Sequence, residues 1–186
     1  MEKSAELPEG LPIPVDDGAC DHLPDQPLPN ISLPATSGIA VNLSQQKDWL
    51  VIYCYPMTGR PDVQLPDNWD SIPGARGCTP QSCAFRDHYQ ELRQYGASVF
   101  GLSTQMTDYQ LEAKQRLHLP FELLSDHNLE FATALNLPLF EVNNMQLIKR
   151  LTLIASNGII KKVFYPVFPP DENAEQVIEW LMRHRD

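Results

Sequence analysis

The sequence predicts a single α/β domain, a mixed β-sheet with helices on its faces, and three observations carry that expectation. The run WLVIYCY at 49–55 is continuously apolar and β-rich and is stopped by Pro56, which is how a strand covered on both faces reads. From residue 79 to residue 135 helical and strand patterns alternate, as parallel βαβ units do. Two further apolar runs, 151–155 and 159–165, flank Ser156, Asn157 and Gly158, and Asn-Gly between such runs is a strong hairpin signal.

Before the central strand, residues 1–36 hold seven of the chain's 17 prolines, which removes backbone donors and blocks helix. An extended arm is expected, whose second half, 31–36 and 39–43 around Ser37 and Gly38, alternates well enough for a short hairpin. Residues 57–77 have several prolines and glycines and no apolar period, so they read as a long loop, a class that is often functional. From Thr79 the pattern turns helical. Pro80 suits a first turn, Phe85, Tyr89 and Leu92 share a face, and Gly96 ends the run. Strand 98–103, helix 108–117, strand 121–124 and helix 128–135 follow, and Ala174, Val177, Ile178 and Leu181 form the apolar stripe of a closing helix at 173–184. The expected organisation is a proline-rich arm over 1–22 and one domain over 23–186, with no internal repeat.

With 186 residues the chain is long enough for one real core. Its apolar and charged fractions, 42% and 20%, are those of a folded water-soluble protein, while a net charge of -10 opposes nucleic acid as a partner. No stretch is long and apolar enough for a membrane helix, and the first residues do not read as a signal peptide, so a cytosolic protein is expected. In that compartment four cysteines are not kept as structural disulfides.

Each thiol is therefore judged by its surroundings. Cys78 follows Gly77 at a helix start, two residues after Arg76, and both a helix N-terminus and a guanidinium favour thiolate over thiol. Cys83 lies five residues on. Regular helix geometry sets the two Cα atoms about 8.7 Å apart, beyond the range of roughly 4.4 to 6.8 Å that a disulfide needs. A bond between them would require the first turns to unwind, but spacing alone leaves two unrelated thiols as the ordinary alternative. A structural zinc site needs four ligands, and no second Cys or His pair has suitable spacing, so neither metal nor cofactor is expected. Cys54 is expected in the core and Cys20 as an incidental exposed thiol. His88 is nearly three helical turns from Cys78, which excludes a direct contact within the helix.

The stretch GCTPQSCAFRD at 77–87 closely resembles the active-site segment of Q-type peroxiredoxins, also called bacterioferritin comigratory proteins. The resemblance continues in order through VIYCYP at 51–56, FGLST at 100–104, LLSD at 123–126 and RLTLI at 150–154, followed by Asn157-Gly158, and covers roughly residues 23–184. It implies a thioredoxin-like fold and a peroxidase for hydrogen peroxide and organic hydroperoxides, regenerated by thioredoxin or a similar dithiol, acting without a cofactor as a monomer or weak homodimer. It assigns Cys78 as the peroxidatic cysteine, Cys83 as the resolving cysteine and Arg150 as the arginine that supports the thiolate and polarises the peroxide. Arg86 is given a supporting role.

One departure stands out. The family pattern is Pro, three residues, Thr or Ser, two residues, Cys, whereas in that register this chain has Ser71 and Ala75. Pro56 and Thr58 match the expected pair if an insertion near 59–76 loops out. Thr58 then reaches the peroxide site with Pro56, Gly77 and Arg76 as substrate-binding residues. Alternatively the insertion caps the pocket with Trp69 and Arg76 against substrate, or Trp69 anchors the loop by packing. The rival functions are a redox sensor or disulfide-exchange module using the same thiols, and a binding protein whose insertion and arm recognise a partner.

Overall fold

The computed structural model describes residues 6–184. Its centre is a five-stranded mixed sheet in the order β5 (Leu123–Ser125), β4 (Ala97–Ser103), β3 (Trp49–Cys54), β8 (Leu151–Ser156), β9 (Ile159–Phe164). Strand β3 runs parallel to β4 and antiparallel to β8, and β8 and β9 form the hairpin expected from Asn157-Gly158. Because side chains alternate across a strand, Leu50, Ile52 and Cys54 enter the core on one face while Val51, Tyr53 and Tyr55 enter the core on the other. Both faces are covered, which is why β3 reads as an unbroken apolar run.

On the second face lie α1 (Cys78–Asp87), α2 (Tyr89–Gln94) and α5 (Asn173–Arg183), whose Phe85, Leu92, Val177, Ile178 and Leu181 pack on Tyr53 and Val51. Tyr53 stacks on Phe85 at 4.7 Å and meets Phe121 edge-on. Gly101 makes room for that ring: a Cβ there would stand 2.8 Å from the Tyr53 ring and 2.5 Å from Leu123. The single helix expected from residue 79 onward is instead two, because His88, at φ -97° and ψ 6°, leaves the helical region for one residue. The helix α3 (Thr107–Leu117) makes the βαβ crossover between β4 and β5.

The first face is covered by α4 (Glu130–Ala134) and by the proline-rich segment itself. The extended segment is packed onto the domain. Cys20, Leu23, Leu28 and Leu33 are buried, and His22 bonds the Leu135 carbonyl at 2.8 Å. Cys20 is thus a core thiol, and proline spacing hid that because such a segment can pack without repeating structure. The expected hairpin is present as β1 (Ser32–Leu33) with β2 (Val41–Asn42). A second hairpin, β6 (Leu139–Val142) with β7 (Met145–Ile148), was not anticipated; its signal is Asn143-Asn144, both at positive φ in a two-residue turn. It meets the 57–77 loop in a satellite core where Trp69 packs on Leu147 and Phe140.

Candidate active site

Cys78 is the first residue of α1, and Gly77 places it there. Gly77 has φ +118°, and a Cβ would stand 2.3 Å from the Pro170 ring, so only glycine lets the chain enter the helix this close to the segment before α5. Cys78 is 3% exposed, and its sulfur receives a hydrogen bond from Nη2 of Arg150 at 3.1 Å.

Arg150, between β7 and β8, is also 3% exposed. Its guanidinium donates to Gln81 Oε1 at 2.6 Å and to the Ala75 carbonyl at 3.0 Å, both neutral acceptors. Among the described residues no carboxylate pairs with it, and Nε has no partner. A buried cation requires a counter-charge, and the group in contact able to become an anion is the Cys78 sulfur. The arrangement therefore sets a fixed positive charge against the Cys78 sulfur.

A hydrogen-bonded chain extends behind this pair. Gln81 Nε2 donates to Asn173 Oδ1 at 3.1 Å, and the Thr152 hydroxyl donates to the same oxygen at 2.7 Å, with Gln81, Asn173 and Thr152 all wholly buried. Because Gln81 spends its NH₂ on Asn173, its carbonyl must face Arg150. Gln81, Thr152 and Asn173 escaped the sequence reading; the nearest signal was Gln81 inside the motif, whereas Asn173 joins only through tertiary packing. Nearby, Tyr53 and Ser82 share a hydrogen bond at 3.0 Å, and burial raises the Tyr53 phenol well above its ordinary range, so it stays a neutral hydroxyl.

Cys83 lies one and a half turns further along α1, 7% exposed and packed with the Tyr53 cluster. No disulfide joins any of the four cysteines. Arg86 donates to the Leu117 carbonyl at 2.8 Å, tying α1 to the end of α3. His88 pairs with Glu91 and Glu175 at the far end of α1.

Thr58 is buried, and its hydroxyl and backbone N–H both donate to Gln105 Oε1, at 3.3 and 3.0 Å. Arg76 pairs with Asp70 at 2.9 Å rather than with Cys78, although it lines the same cavity. Trp69, 4% exposed, is an anchor for the inserted segment that also forms part of the cavity wall. That cavity, about 350 Å³, opens onto Cys78 and is walled by Gly77, Pro80 and Arg116 together with Arg60, Val63 and Leu65 of the insertion. Pro56 is buried and is not among the lining residues. Among the described residues no group of three or more His, Cys, Asp or Glu could hold a metal ion.

The redoxin family model matches residues 23–178. "Peroxiredoxin Q, chloroplastic" of Oryza sativa subsp. japonica is 29% identical over 82% of this chain and 64% of its own length. "Peroxiredoxin bcp1" of Schizosaccharomyces pombe is 30% identical over 67% of this chain and 60% of its own. The chain thus spans less than two thirds of the length of these curated relatives. Among solved structures, peroxidoxin BcpB of Mycobacterium tuberculosis superposes with a TM-score of 0.73 at 22% identity, covering 89% of this chain and 100% of that one, which establishes the thioredoxin-like fold. With the family model spanning the sheet, α1 and Arg150, and with Q-type relatives across its length, the chain belongs to the redoxin family as a peroxiredoxin of the Q type.

Proposed function

We propose that this protein is a thiol peroxidase for hydrogen peroxide and organic hydroperoxides, with Cys78 as nucleophile. The observation that carries the reading is the buried Arg150 guanidinium, without a carboxylate, 3.1 Å from the Cys78 sulfur. The Cys78 thiolate attacks one peroxide oxygen; the S–O bond forms as the O–O bond breaks, and water or an alcohol leaves after taking a proton. Cys78 becomes a sulfenic acid. Arg150 supplies fixed positive charge where negative charge shifts from sulfur to the departing oxygen, and its unpartnered Nε is a donor in reserve. The Cys83 thiolate then attacks the sulfenic sulfur, forming the Cys78–Cys83 disulfide and releasing hydroxide, which is protonated to water. Thioredoxin or a similar dithiol reduces that bond and is itself oxidised.

No helix among the described residues is long and apolar enough to cross a membrane. Thiol chemistry and composition fit a reducing aqueous compartment, and we place the protein in the cytosol as a monomer or weak homodimer.

The test is stopped-flow oxidation of the reduced protein by hydrogen peroxide, with mass spectrometry of the product. A fast reaction abolished by Cys78→Ser, and yielding the Cys78–Cys83 disulfide, supports the reading. The rival outcome of this test is a disulfide-exchange module or sensor that uses the same thiols. A rate no faster than a free thiol's would select it.

A further inference from the structure

The proline-rich segment reaches the residue that sets the entry to α1. A Cβ on Gly77 would stand 3.1 Å from Leu7 Cδ2, on top of its clash with Pro170, so the Leu7 side chain lies directly on that glycine. Pro14 lies in the same way on Gly74, its ring carbons 3.6 Å from where a Cβ would be. Ile13, Pro14 and Val15 also wall a cavity of about 420 Å³ together with Ile72 and Pro73 of the insertion and Val167. Asp17 ends the crossing: it accepts from the Tyr165 hydroxyl at 2.8 Å and pairs with Lys149 at 3.5 Å. Beyond it, buried Cys20 and Leu23 fix the chain in the core.

The hold is light. Among the described residues no hydrogen bond ties 7–15 to the rest of the domain, so apolar contact and the pairing of Asp17 keep the segment in place. Segments held this way open at small cost. The Cys78–Cys83 bond, in turn, cannot form while α1 keeps its first turns, because a regular helix sets the two Cα atoms about 8.7 Å apart. Opening those turns moves Cys78 and Gly77, and Gly77 is where Leu7 and Pro170 close in. Pro170 is fixed by α5, whose Asn173, Ala174 and Val177 are wholly buried. Leu7 is the side that can yield.

We infer that residues 7–17 are a strap over the start of α1 that slows formation of the Cys78–Cys83 disulfide and so sets how long the sulfenic acid stays open to a second peroxide. This rests on the peroxidase reading, with Cys83 as the resolving thiol. Two steps compete at the sulfenic sulfur. In one, the Cys83 thiolate attacks it, the S–S bond forms, and hydroxide leaves and is protonated to water. In the other, the sulfenate attacks a second hydroperoxide: a new S–O bond forms as the O–O bond breaks, water or an alcohol leaves, and sulfur is oxidised to the sulfinic acid. The first step needs α1 open, whereas the second proceeds with α1 closed. A strap that favours the closed helix therefore raises the sulfinic fraction. Linkage makes the coupling reciprocal, so opening α1 loosens the strap by the same factor.

The experiment mixes the reduced full chain with hydrogen peroxide over a range of concentrations and follows the Cys78 products by rapid quench and mass spectrometry. Leu7→Ala removes three carbons of a half-buried side chain from the contact with Gly77. A fully buried methylene is worth about fourfold, so disulfide formation should speed up by about three- to eightfold. The peroxide concentration that turns half of Cys78 into sulfinic acid should rise by the same factor. The first oxidation of Cys78 keeps its rate, since Leu7 does not line the Cys78 cavity. Pro14→Ser acts in the same direction. In the native chain, a glutamate-specific protease should cut after exposed Glu9 severalfold faster in the disulfide form than in the thiol form. Disulfide formation unmoved by both variants, or equal cleavage at Glu9 in the two redox states, overturns this inference and leaves the peroxidase reading intact. Oxidation at a free thiol's rate, or a product without the Cys78–Cys83 bond, overturns the reading and the inference together.

Discussion

Replacing Arg150 by methionine keeps the volume of the buried side chain and removes its charge and its donors. At an effective dielectric of about 20, a guanidinium whose charge centre is roughly 4 Å from a thiolate contributes about 4 kcal/mol, close to 10³ in rate if all of it is lost at the transition state. The N-terminus of α1 remains and continues to favour the anion by about 0.3–1 kcal/mol. We therefore expect peroxide oxidation of Cys78 to slow by about 10² to 10³. Stability should change much less: Gln81 Oε1 and the Ala75 carbonyl lose a donor, at about 1–3 kcal/mol each, while the cost of burying a cation disappears. Arg150→Lys, which keeps the charge but not the fork geometry, should recover part of the rate. The assay is stopped-flow tryptophan fluorescence, with urea melts as the folding control. A folded Arg150→Met protein oxidised within threefold of the native rate would refute the argument.

Three more predictions follow from the same structure. Asn173→Leu strands two buried donors, Thr152 Oγ1 and Gln81 Nε2, and should cost roughly 2–5 kcal/mol in a urea melt while slowing Cys78 oxidation, because the Gln81 carbonyl is no longer aimed at Arg150. Burial, reinforced by Asp17, Asp16 and Asp21, pushes the Cys20 thiol up to about 12. Its stabilising contribution is therefore complete below the unfolded value of about 8.5 and falls by about 1.4 kcal/mol per pH unit above it. Buried Cys54 acts in the same direction. Denaturation between pH 8 and 10.5 should show this decline, with a shallower slope in Cys20→Ala; a flat profile would contradict it. Finally, α1 is continuous from Cys78 to Asp87 in the thiol form, so forming the Cys78–Cys83 bond must open its first turns. Amide exchange across 78–86 should accelerate on oxidation, and equal protection in both redox states would count against that pair.

The covered strand β3, the Asn157-Gly158 hairpin and the helix start at Cys78 were legible because each is a local property: an apolar run with no polar alternation, a turn dipeptide, a glycine before a helical period. The family resemblance pointed to Cys78, Cys83 and Arg150, and the fold sets Arg150 against the Cys78 sulfur. Thr58 illustrates the opposite case. Its proximity to Pro56 is a matter of sequence, but its hydrogen-bond partner is Gln105, 47 positions away, and no spacing rule contains that choice.

What the sequence by itself determined is the α/β class, the order of most elements and the helix start at Cys78, since periodicity and turn chemistry act over a few residues. Tertiary structure alone decided that the proline-rich segment closes one face of the core and buries Cys20. It also decided that Asp70 rather than Cys78 takes Arg76, and that Gln81, Asn173 and Thr152 stand behind Arg150. The physical reason is common to all of these: burial and pairing of polar groups are settled between residues distant in the chain, by which surfaces the packed sheet and helices bring within hydrogen-bonding reach.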